Sequence, residues 1–223
     1  MVGQANRSVR YRDRMSSGQA GSRQDRPAAP RRGRPGYDLE SLLAVAVAVF
    51  NERGYDGTSM EDLARELGIT KSAIYHHVTG KEELLRLGVG RALDGLFVIL
   101  DEVSGLDAPA MARLEELARR SVLLLAAELP FVTLLLRVRG NTKAERQALA
   151  RRREFDAAVA SLVTQARDEG DLRPDVDPAV VARLLYGMIN SVVEWYRPRG
   201  GGRPAELADI IITVAFDGLR IKP

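Results

Sequence analysis

The segment Thr58–Leu85, TSMEDLARELGITKSAIYHHVTGKEELL, contains two short amphipathic helical patterns separated by a glycine. The apolar positions are Met60, Leu63, Ala64 and Leu67 in the first pattern and Ala73, Ile74 and Val78 in the second. Gly68 can adopt the left-handed conformation that turns one helix sharply into the next, and Ile69 can fill the space beneath that turn. The segment therefore predicts a helix-turn-helix unit, whose second helix enters the DNA major groove.

Polar side chains gather where the second helix of this unit would approach DNA. Lys71 and Ser72 lie at its leading end, where a lysine can donate to guanine acceptors and a serine can bond a base edge or a phosphate. Tyr75 follows one turn later and can reach a phosphate or a thymine methyl group. The further candidates for contacts with the DNA backbone are Thr58, Ser59, His76, His77 and Lys81. A single residue of any of these types is usually solvated surface, so the interpretation depends on the whole set.

The composition excludes several kinds of site. The chain has no Cys and only two His, which are adjacent and cannot easily face one point, so we predict neither a disulfide nor a metal site. We find no nucleophile–base pair and no glycine-rich phosphate loop, and so predict no enzyme activity, no catalytic residue and no cofactor. No run of about 18 apolar residues predicts a membrane span, and the Arg-rich N-terminus lacks the apolar region of a signal peptide. We therefore expect a cytoplasmic protein.

Helical periodicity continues along the rest of the chain and predicts an all-α protein of about nine helices. A first helix runs from the N-cap candidate Asp38 to a stop at Gly54, directly before the quoted segment. Three Thr–Glu pairs are spaced as capping boxes: Thr58 with Glu61, Thr79 with Glu82, and Thr142 with Glu145. Four prolines fit the first turns of later helices: Pro109, Pro130, Pro178 and Pro204.

The N-terminal segment, residues 1–36, has the composition of a disordered basic arm. Residues 1–37 hold nine Arg and two Asp, a net charge of +7, which leaves −4 for the rest of a chain whose net charge is +3. Such a tail suggests a polyanionic partner. Within it, RRGRPG (Arg31–Gly36) is similar to the core of an AT-hook, with Arg32 and Arg34 as candidates for the DNA minor groove. A linker that only binds phosphates stays an open alternative.

The stretch GYDGTSMEDLARELGITKSAIYHHVTGKEELL, after a helix that ends in AVFNERG, resembles the DNA-binding domain of the TetR family of bacterial repressors. The match covers residues 38–85. The family pattern of an aromatic residue, a His and a Lys after a tight turn corresponds here to Tyr75, His77 and Lys81. His76 stands where a second aromatic residue is usual. The resemblance implies that these residues face DNA: Thr58, Lys71, Ser72, Ala73, Tyr75, His77 and Lys81.

We accordingly divide the folded part of the chain into a helix-turn-helix DNA-binding domain, residues 37–82, and a ligand-binding and dimerisation domain, residues 83–223. The last two helices carry the candidates for a four-helix dimer interface: Leu184, Met188, Val192, Ile211, Val214 and Gly218. Small residues such as Gly187 allow close helix approach. An ordinary intrachain core is the alternative, and the resemblance favours the interface, because members of the family pair in this way and bind near-palindromic operators.

Two C-terminal stretches, LLLRVRGNTKAERQALARRREF and GMINSVVEWYRPRGG, resemble a branch of the family that controls acyl-CoA catabolism, such as steroid- and phenylacetate-degradation repressors. An acyl-CoA effector needs an apolar slot and cations for its phosphates. The residue types that fit are Phe131, Leu135, Arg139, Phe155 and Asn190. The resemblance adds Trp195 and Arg199, because a Trp and an Arg with this spacing contact the CoA ligand in that branch. The alternatives are a solvated arginine face and a tryptophan that covers a helix end.

The sequence is compatible with three functions. The favoured one is a ligand-responsive transcriptional repressor that binds a near-palindromic operator in double-stranded DNA as a homodimer and is released by a small effector, an acyl-CoA thioester. A second is an architectural DNA-binding protein without an effector, in which the basic arm supplies most of the affinity. A third, a helical acyl-CoA enzyme, lacks catalytic residues. Deleting residues 1–36 separates the first two, because only the repressor keeps its sequence preference.

Overall fold

The computed structural model describes residues 38–197 and 203–217, and these two ranges contain nine α-helices and no β-strand, which confirms the predicted all-α class. The helices are α1 (Leu39–Arg53), α2 (Met60–Leu67), α3 (Lys71–Tyr75), α4 (Lys81–Ser104), α5 (Ala110–Ala127), α6 (Leu129–Arg137), α7 (Lys143–Asp168), α8 (Pro178–Trp195) and α9 (Pro204–Asp217). None of them is long and apolar enough to cross a bilayer. Outside the described residues lie the predicted arm and the candidates Arg32, Arg34, Arg199 and Gly218.

The turn between α2 and α3 has the geometry expected from its glycine. Gly68 lies in the left-handed region, with φ 65° and ψ 30°, and its N–H closes the end of α2. Ile69 packs against the core beneath the turn. α3 has only five residues, and Thr70 caps it by accepting a 3.2 Å hydrogen bond from the Ala73 N–H. A helix of this length is not stable alone in water, so it depends on packing against its neighbours.

The capping box of α2 begins one residue later than predicted. Ser59, with φ −102° and ψ 165°, is the N-cap, and its partner is Asp62. The predicted pair of Thr58 and Glu61 is therefore wrong. The two boxes have the same spacing and overlapping sequence, so only the extended backbone at Ser59 decides between them.

The first turns of α4 and α7 are joined by a side chain. The predicted capping box of α7 is confirmed. At the start of α4, however, Thr79 pairs with Glu83, whose carboxylate accepts from both the Thr79 N–H and its hydroxyl. Glu82, predicted to cap α4, instead accepts a 3.1 Å hydrogen bond from the Ala144 N–H of α7. One carboxylate thus links two helix N-termini that are far apart in sequence.

A single apolar core extends from α1 to α9, and α4 runs through it in contact with α1, α5, α6 and α7. Gly88 marks a close approach of three helices. A β-carbon at this position would lie 2.9 Å from Val47 Cγ2 of α1 and 3.0 Å from Leu134 Cδ2 of α6. The short helices α2 and α3 therefore rest, through α1 and α4, on the C-terminal helices.

The inner faces of α8 and α9 belong to the same core. Val192 is fully buried and Ile211 is 5% exposed, because α8 packs on α7 and α9 packs on α5. The prediction that these two residues form the dimer interface is corrected, since neither can reach a partner without unpacking the subunit. Leu184 and Val214 lie on the opposite face and are exposed, and Met188 is half-buried.

Candidate DNA-binding surface and effector site

α3 combines one buried anchor with an exposed polar face. Ile74 is fully buried beneath the helix. The exposed residues on and just after α3 are Lys71, Ser72, Tyr75, His76 and His77, and Ala73 is half-buried. Tyr75 is 46% exposed, which leaves a large apolar area in water. The structure thus places the predicted DNA-reading side chains together on one surface.

Lys71 has two neighbours on this surface. Its ammonium forms an ion pair with Glu61 in the first turn of α2, and its Nζ lies 6.0 Å from the centroid of the Tyr75 ring. The ion pair lowers the pKa of Glu61 and raises the pKa of Lys71. In the free protein, the leading cation of α3 is therefore already held by a carboxylate.

Lys81 binds the protein itself. Its Nζ donates to the carbonyl oxygens of Tyr55 at 2.9 Å and Thr58 at 2.8 Å, and it lies 4.3 Å from the centroid of the Tyr55 ring. These contacts tie the loop before α2 to the first residue of α4. An ammonium group has three N–H donors, so one remains for another acceptor. Contact between Lys81 and DNA stays a prediction.

The two hydroxyls predicted at the start of α2 have internal partners. Thr58 is 2% exposed, and its hydroxyl donates to the Gly54 carbonyl at 2.7 Å. The prediction that the Thr58 side chain faces DNA is therefore corrected, because the loop before α2 folds it back against the end of α1. Ser59 Oγ lies 2.6 Å from Asp62 Oδ2, but Ser59 is exposed and stays a candidate.

Three of the predicted effector residues meet in the C-terminal half of the chain. Leu135 of α6, Phe155 of α7 and Asn190 of α8 line a cavity of about 40 Å³, together with residues of α4. Sites for small molecules usually measure roughly 300–1,000 Å³. The cavity marks the place where four helices meet, and it must widen before an acyl chain can enter.

Polar groups that the sequence did not indicate lie beside these residues. Tyr186 lines the cavity, its ring packs edge-on against Phe155 with centroids 5.0 Å apart, and its hydroxyl lies 2.9 Å from Ser121 Oγ. Burial raises the pKa of Tyr186. Asp156 also lines the cavity, and partial desolvation raises the pKa of its carboxyl. One signal was present in the sequence, since Tyr186 lies one helical turn before Asn190.

The other predicted effector residues lie elsewhere. Phe131 packs against Arg91, whose guanidinium carbon is 4.4 Å from the centroid of its ring. Arg139 is exposed and lines a separate cleft of about 830 Å³ between the end of α1 and the link from α6 to α7. Trp195 is 57% exposed at the end of α8. The structure does not bring these three residues to the cavity.

The 830 Å³ cleft carries charges of both signs. Glu52 at the end of α1 and Asp56 in the loop after it lie on one wall, and Arg137 of α6 donates to the Asn51 carbonyl. This mixture favours no single ligand charge, so we assign no ligand to the cleft. Within the described residues, no group of three or more His, Asp or Glu side chains is placed to hold a metal ion.

An apolar surface remains on the outer side of α8 and α9. Leu184 is 67%, Ile210 61% and Val214 63% exposed. A β-carbon added at Gly187 would meet nothing within 4 Å. We call this surface the outer apolar face. Large apolar side chains exposed on neighbouring helices are typical of an interaction site when they form one patch.

Comparison with known proteins matches both halves of the chain. The family "Bacterial regulatory proteins, tetR family" matches residues 42–87, and "Tetracyclin repressor-like, C-terminal domain" matches residues 107–219. The HTH-type transcriptional repressor KstR2 of Rhodococcus jostii (strain RHA1) is 30% identical over 198 residues, which cover 86% of this chain and 96% of the relative.

Two solved structures share the fold over most of their length. SCO3833, a member of the TetR transcriptional regulator family from Streptomyces coelicolor A3, is 59% identical with a TM-score of 0.76, covering 82% of this chain and 92% of that one. AibR in complex with isovaleryl coenzyme A and operator DNA is 28% identical with a TM-score of 0.68, covering 79% of this chain and 97% of that one. The likeness therefore extends well beyond the helix-turn-helix unit.

Proposed function

Because the chain belongs to the TetR family of bacterial transcriptional regulators, we propose that it represses transcription by binding a near-palindromic operator as a homodimer, and that an acyl-CoA thioester releases it. The family consists of regulators and not of enzymes. The observation that carries the proposal is the exposed face of α3, where Lys71, Ser72 and Tyr75 surround the buried anchor Ile74. Since its partner is operator DNA, the protein acts in the bacterial cytoplasm.

On this proposal α3 enters the major groove by its N-terminal end. Lys71 donates to guanine acceptors, and Ser72 and Tyr75 contact neighbouring base edges or phosphates. His76 and His77 follow where the helix leaves the groove and are placed for the DNA backbone. The arginines of the basic arm add phosphate contacts that do not depend on sequence. Two copies of α3 would lie about 34 Å apart, one turn of the duplex.

The outer apolar face supports the homodimer. Leu184, Met188, Ile210 and Val214 would meet their counterparts across a twofold axis, which gives a four-helix interface. Full burial of one such side chain contributes about 1.5–3 kcal/mol, and twofold symmetry repeats each contact. The sequence predicted Ile211 as the interface residue of α9, but Ile211 is buried within the subunit. Its neighbour Ile210 is exposed and replaces it in the proposed interface.

The cavity between α4, α6, α7 and α8 is our proposed entry point for the acyl group. The complex of AibR with isovaleryl coenzyme A supports an acyl-CoA as the class of effector. Leu135 and Phe155 supply apolar walls, and Asn190 and Tyr186 supply polar groups. Trp195 and Arg199 stay our candidates for the CoA moiety, at and beyond the end of α8.

A continuous path connects this cavity with α3. α7 lines the cavity through Phe155, and its first turn donates to Glu82 of α4. α4 begins six residues after Tyr75, so a shift of α7 on effector binding moves the start of α4 and with it α3. The coupling must be reciprocal, which means that DNA weakens effector binding by the same factor.

Selection of bound fragments from random duplex DNA, with and without a panel of acyl-CoA thioesters, tests both parts of the proposal. We expect a near-palindromic sequence with half-sites one helical turn apart, and lower recovery when the effector is present. The double variant Lys71→Ala/Tyr75→Ala should no longer enrich any DNA sequence. The control Lys143→Ala, which removes an exposed lysine from α7, should enrich the same sequence as the wild type.

Two outcomes would contradict separate parts. Selective binding that survives in a folded Lys71→Ala/Tyr75→Ala protein would refute the DNA-reading role of α3. An unchanged DNA affinity across a broad acyl-CoA panel would reject the effector and leave the repressor in place.

A further inference from the structure

The segment from α1 to the start of α4, which contains the helix-turn-helix unit, is acidic. Residues 38–87 contain nine acidic and five basic side chains, a net charge of −4. Each basic group has a partner within the protein: Arg53 with Glu66, Arg65 with Asp62, Arg86 with Glu83, Lys71 with Glu61, and Lys81 with two backbone carbonyls. Duplex DNA is a dense array of negative charge, so a surface whose cations are already paired binds it weakly.

Among these pairs, the one between Lys71 and Glu61 involves α3. Glu61 lies in the first turn of α2, where the helix dipole favours a carboxylate, and Lys71 is the first residue of α3. The pair therefore bridges the two helices of the motif at the end that approaches DNA. Glu66, in the last turn of the same helix, binds Arg53 of α1 instead.

We propose that Glu61 sets the DNA affinity of this protein by holding Lys71 until DNA displaces it. The inference rests on the proposed DNA-reading role of α3 and names the residue that regulates this contact. When Lys71 moves to an acceptor on DNA, Glu61 is left as an unpaired carboxylate near phosphates. Lys71 releases one salt counterion from the DNA, but the freed Glu61 carboxylate attracts another counterion. The contact of Lys71 with DNA therefore adds little to the net number of counterions released on binding.

A moderate affinity suits a repressor that an effector must release. Allosteric coupling changes affinity by a limited factor, roughly 5- to 150-fold. A repressor that held DNA much more tightly would stay bound after a change of that size. By lowering the affinity of the effector-free protein, Glu61 keeps DNA binding within the range that the effector can reverse.

The substitution Glu61→Gln tests this exchange, with Glu66→Gln as the matched control. Both remove one negative charge from α2, but the control releases Arg53 instead of Lys71. Fluorescence anisotropy measures binding of the full-length proteins to a random-sequence duplex over a range of salt concentrations. We expect Glu61→Gln to bind roughly two- to fivefold tighter at low salt. On this random-sequence duplex binding is non-specific, so the freed Lys71 neutralises a phosphate. The slope of log K against log salt should therefore steepen by about 0.9, and Glu66→Gln should leave it unchanged.

The same substitution in a Lys71→Met background shows whether Glu61 acts through Lys71. If it does, adding Glu61→Gln there does not steepen the slope or reproduce the gain in affinity. An equal gain in both backgrounds would indicate direct repulsion between Glu61 and phosphate and overturn the proposal. A loss of affinity in Glu61→Gln would also overturn it, because the carboxylate would then be orienting Lys71. If the wild-type protein binds no duplex at all, the proposed function itself fails.

Glu61 is a suitable position for this test because its side chain is 59% exposed and glutamine has nearly the same size and shape. Thermal melting followed by circular dichroism should therefore superimpose for the wild type, Glu61→Gln and Glu66→Gln. Differences in DNA binding between them can then be assigned to charge and pairing.

Discussion

Lys81 organises the loop that leads into the DNA-binding motif. This loop is tight, since a β-carbon at Gly57 would lie 2.8 Å from the Arg53 carbonyl oxygen. The carbonyls of Tyr55 and Thr58 turn towards α4, where the Lys81 ammonium donates a hydrogen bond to each of them. A buried carbonyl without a partner is costly, so this single side chain stabilises the approach to α2.

The substitution Lys81→Met keeps the aliphatic stem and removes the donors. We expect the free energy of unfolding to fall by about 1.5–2 kcal/mol, the lower part of the range for hydrogen bonds to charged groups, because Lys81 is half-buried. Urea denaturation measures the change, with Lys143→Met, an exposed lysine of α7, as the control. Unchanged stability combined with a large loss of DNA affinity would show instead that phosphate is the main partner of Lys81.

Among the helices, α7 spans the distance between the cavity and the start of α4, next to the helix-turn-helix unit. It has 26 residues, which corresponds to about 39 Å of helix. Phe155 lies near its middle and lines the cavity, and the Ala144 N–H in its first turn binds Glu82. A helix packed along its whole length moves largely as one body, so a displacement at the cavity reaches its N-terminus.

The substitution Glu82→Ala removes the acceptor at this junction, whereas Glu82→Gln retains an oxygen. We expect amide hydrogen exchange in the first turn of α7 to be roughly fivefold faster in the alanine variant, similar to the loss of a helix cap. Effector-induced release of DNA should also weaken in that variant, with glutamine close to wild type. Exchange followed by mass spectrometry and DNA titrations measure both effects. An equal effector response in the two variants would place the coupling in another contact, such as the packing at Gly88.

For the whole molecule, the outer apolar face predicts how two chains associate. Leu184→Glu places a charge where the two copies of α8 would meet, and we expect it to convert a dimer into a monomer that binds operator DNA far more weakly. The chain should stay folded, because Leu184 is 67% exposed within the subunit. Val98→Glu, at a residue of α4 that is 55% exposed, is the matched control and should leave the dimer intact. Sedimentation velocity measures the oligomeric state of both variants. A Leu184→Glu protein that is still a dimer would show that the interface lies elsewhere.

The sequence by itself determined the helical class, the sharp turn at Gly68 and the set of polar residues on α3. These features depend on residues within about one helical turn of each other, because helix caps and apolar spacing are local properties. The same locality explains why Lys71, Ser72 and Tyr75 could be assigned to one exposed face. It also explains the error of one residue at Ser59, where two capping boxes of equal spacing overlap.

Only the tertiary structure decided which residues face inward. α8 is apolar on both sides, so its periodicity could not distinguish Val192, which packs inside the subunit, from Leu184, which faces outward. Likewise, Lys81 found its acceptors in a loop more than 20 residues earlier in the chain, and Leu135, Phe155 and Asn190 came together from three different helices. Such contacts join residues that are distant in sequence, and they depend on how whole helices pack and not on the pattern within any one of them.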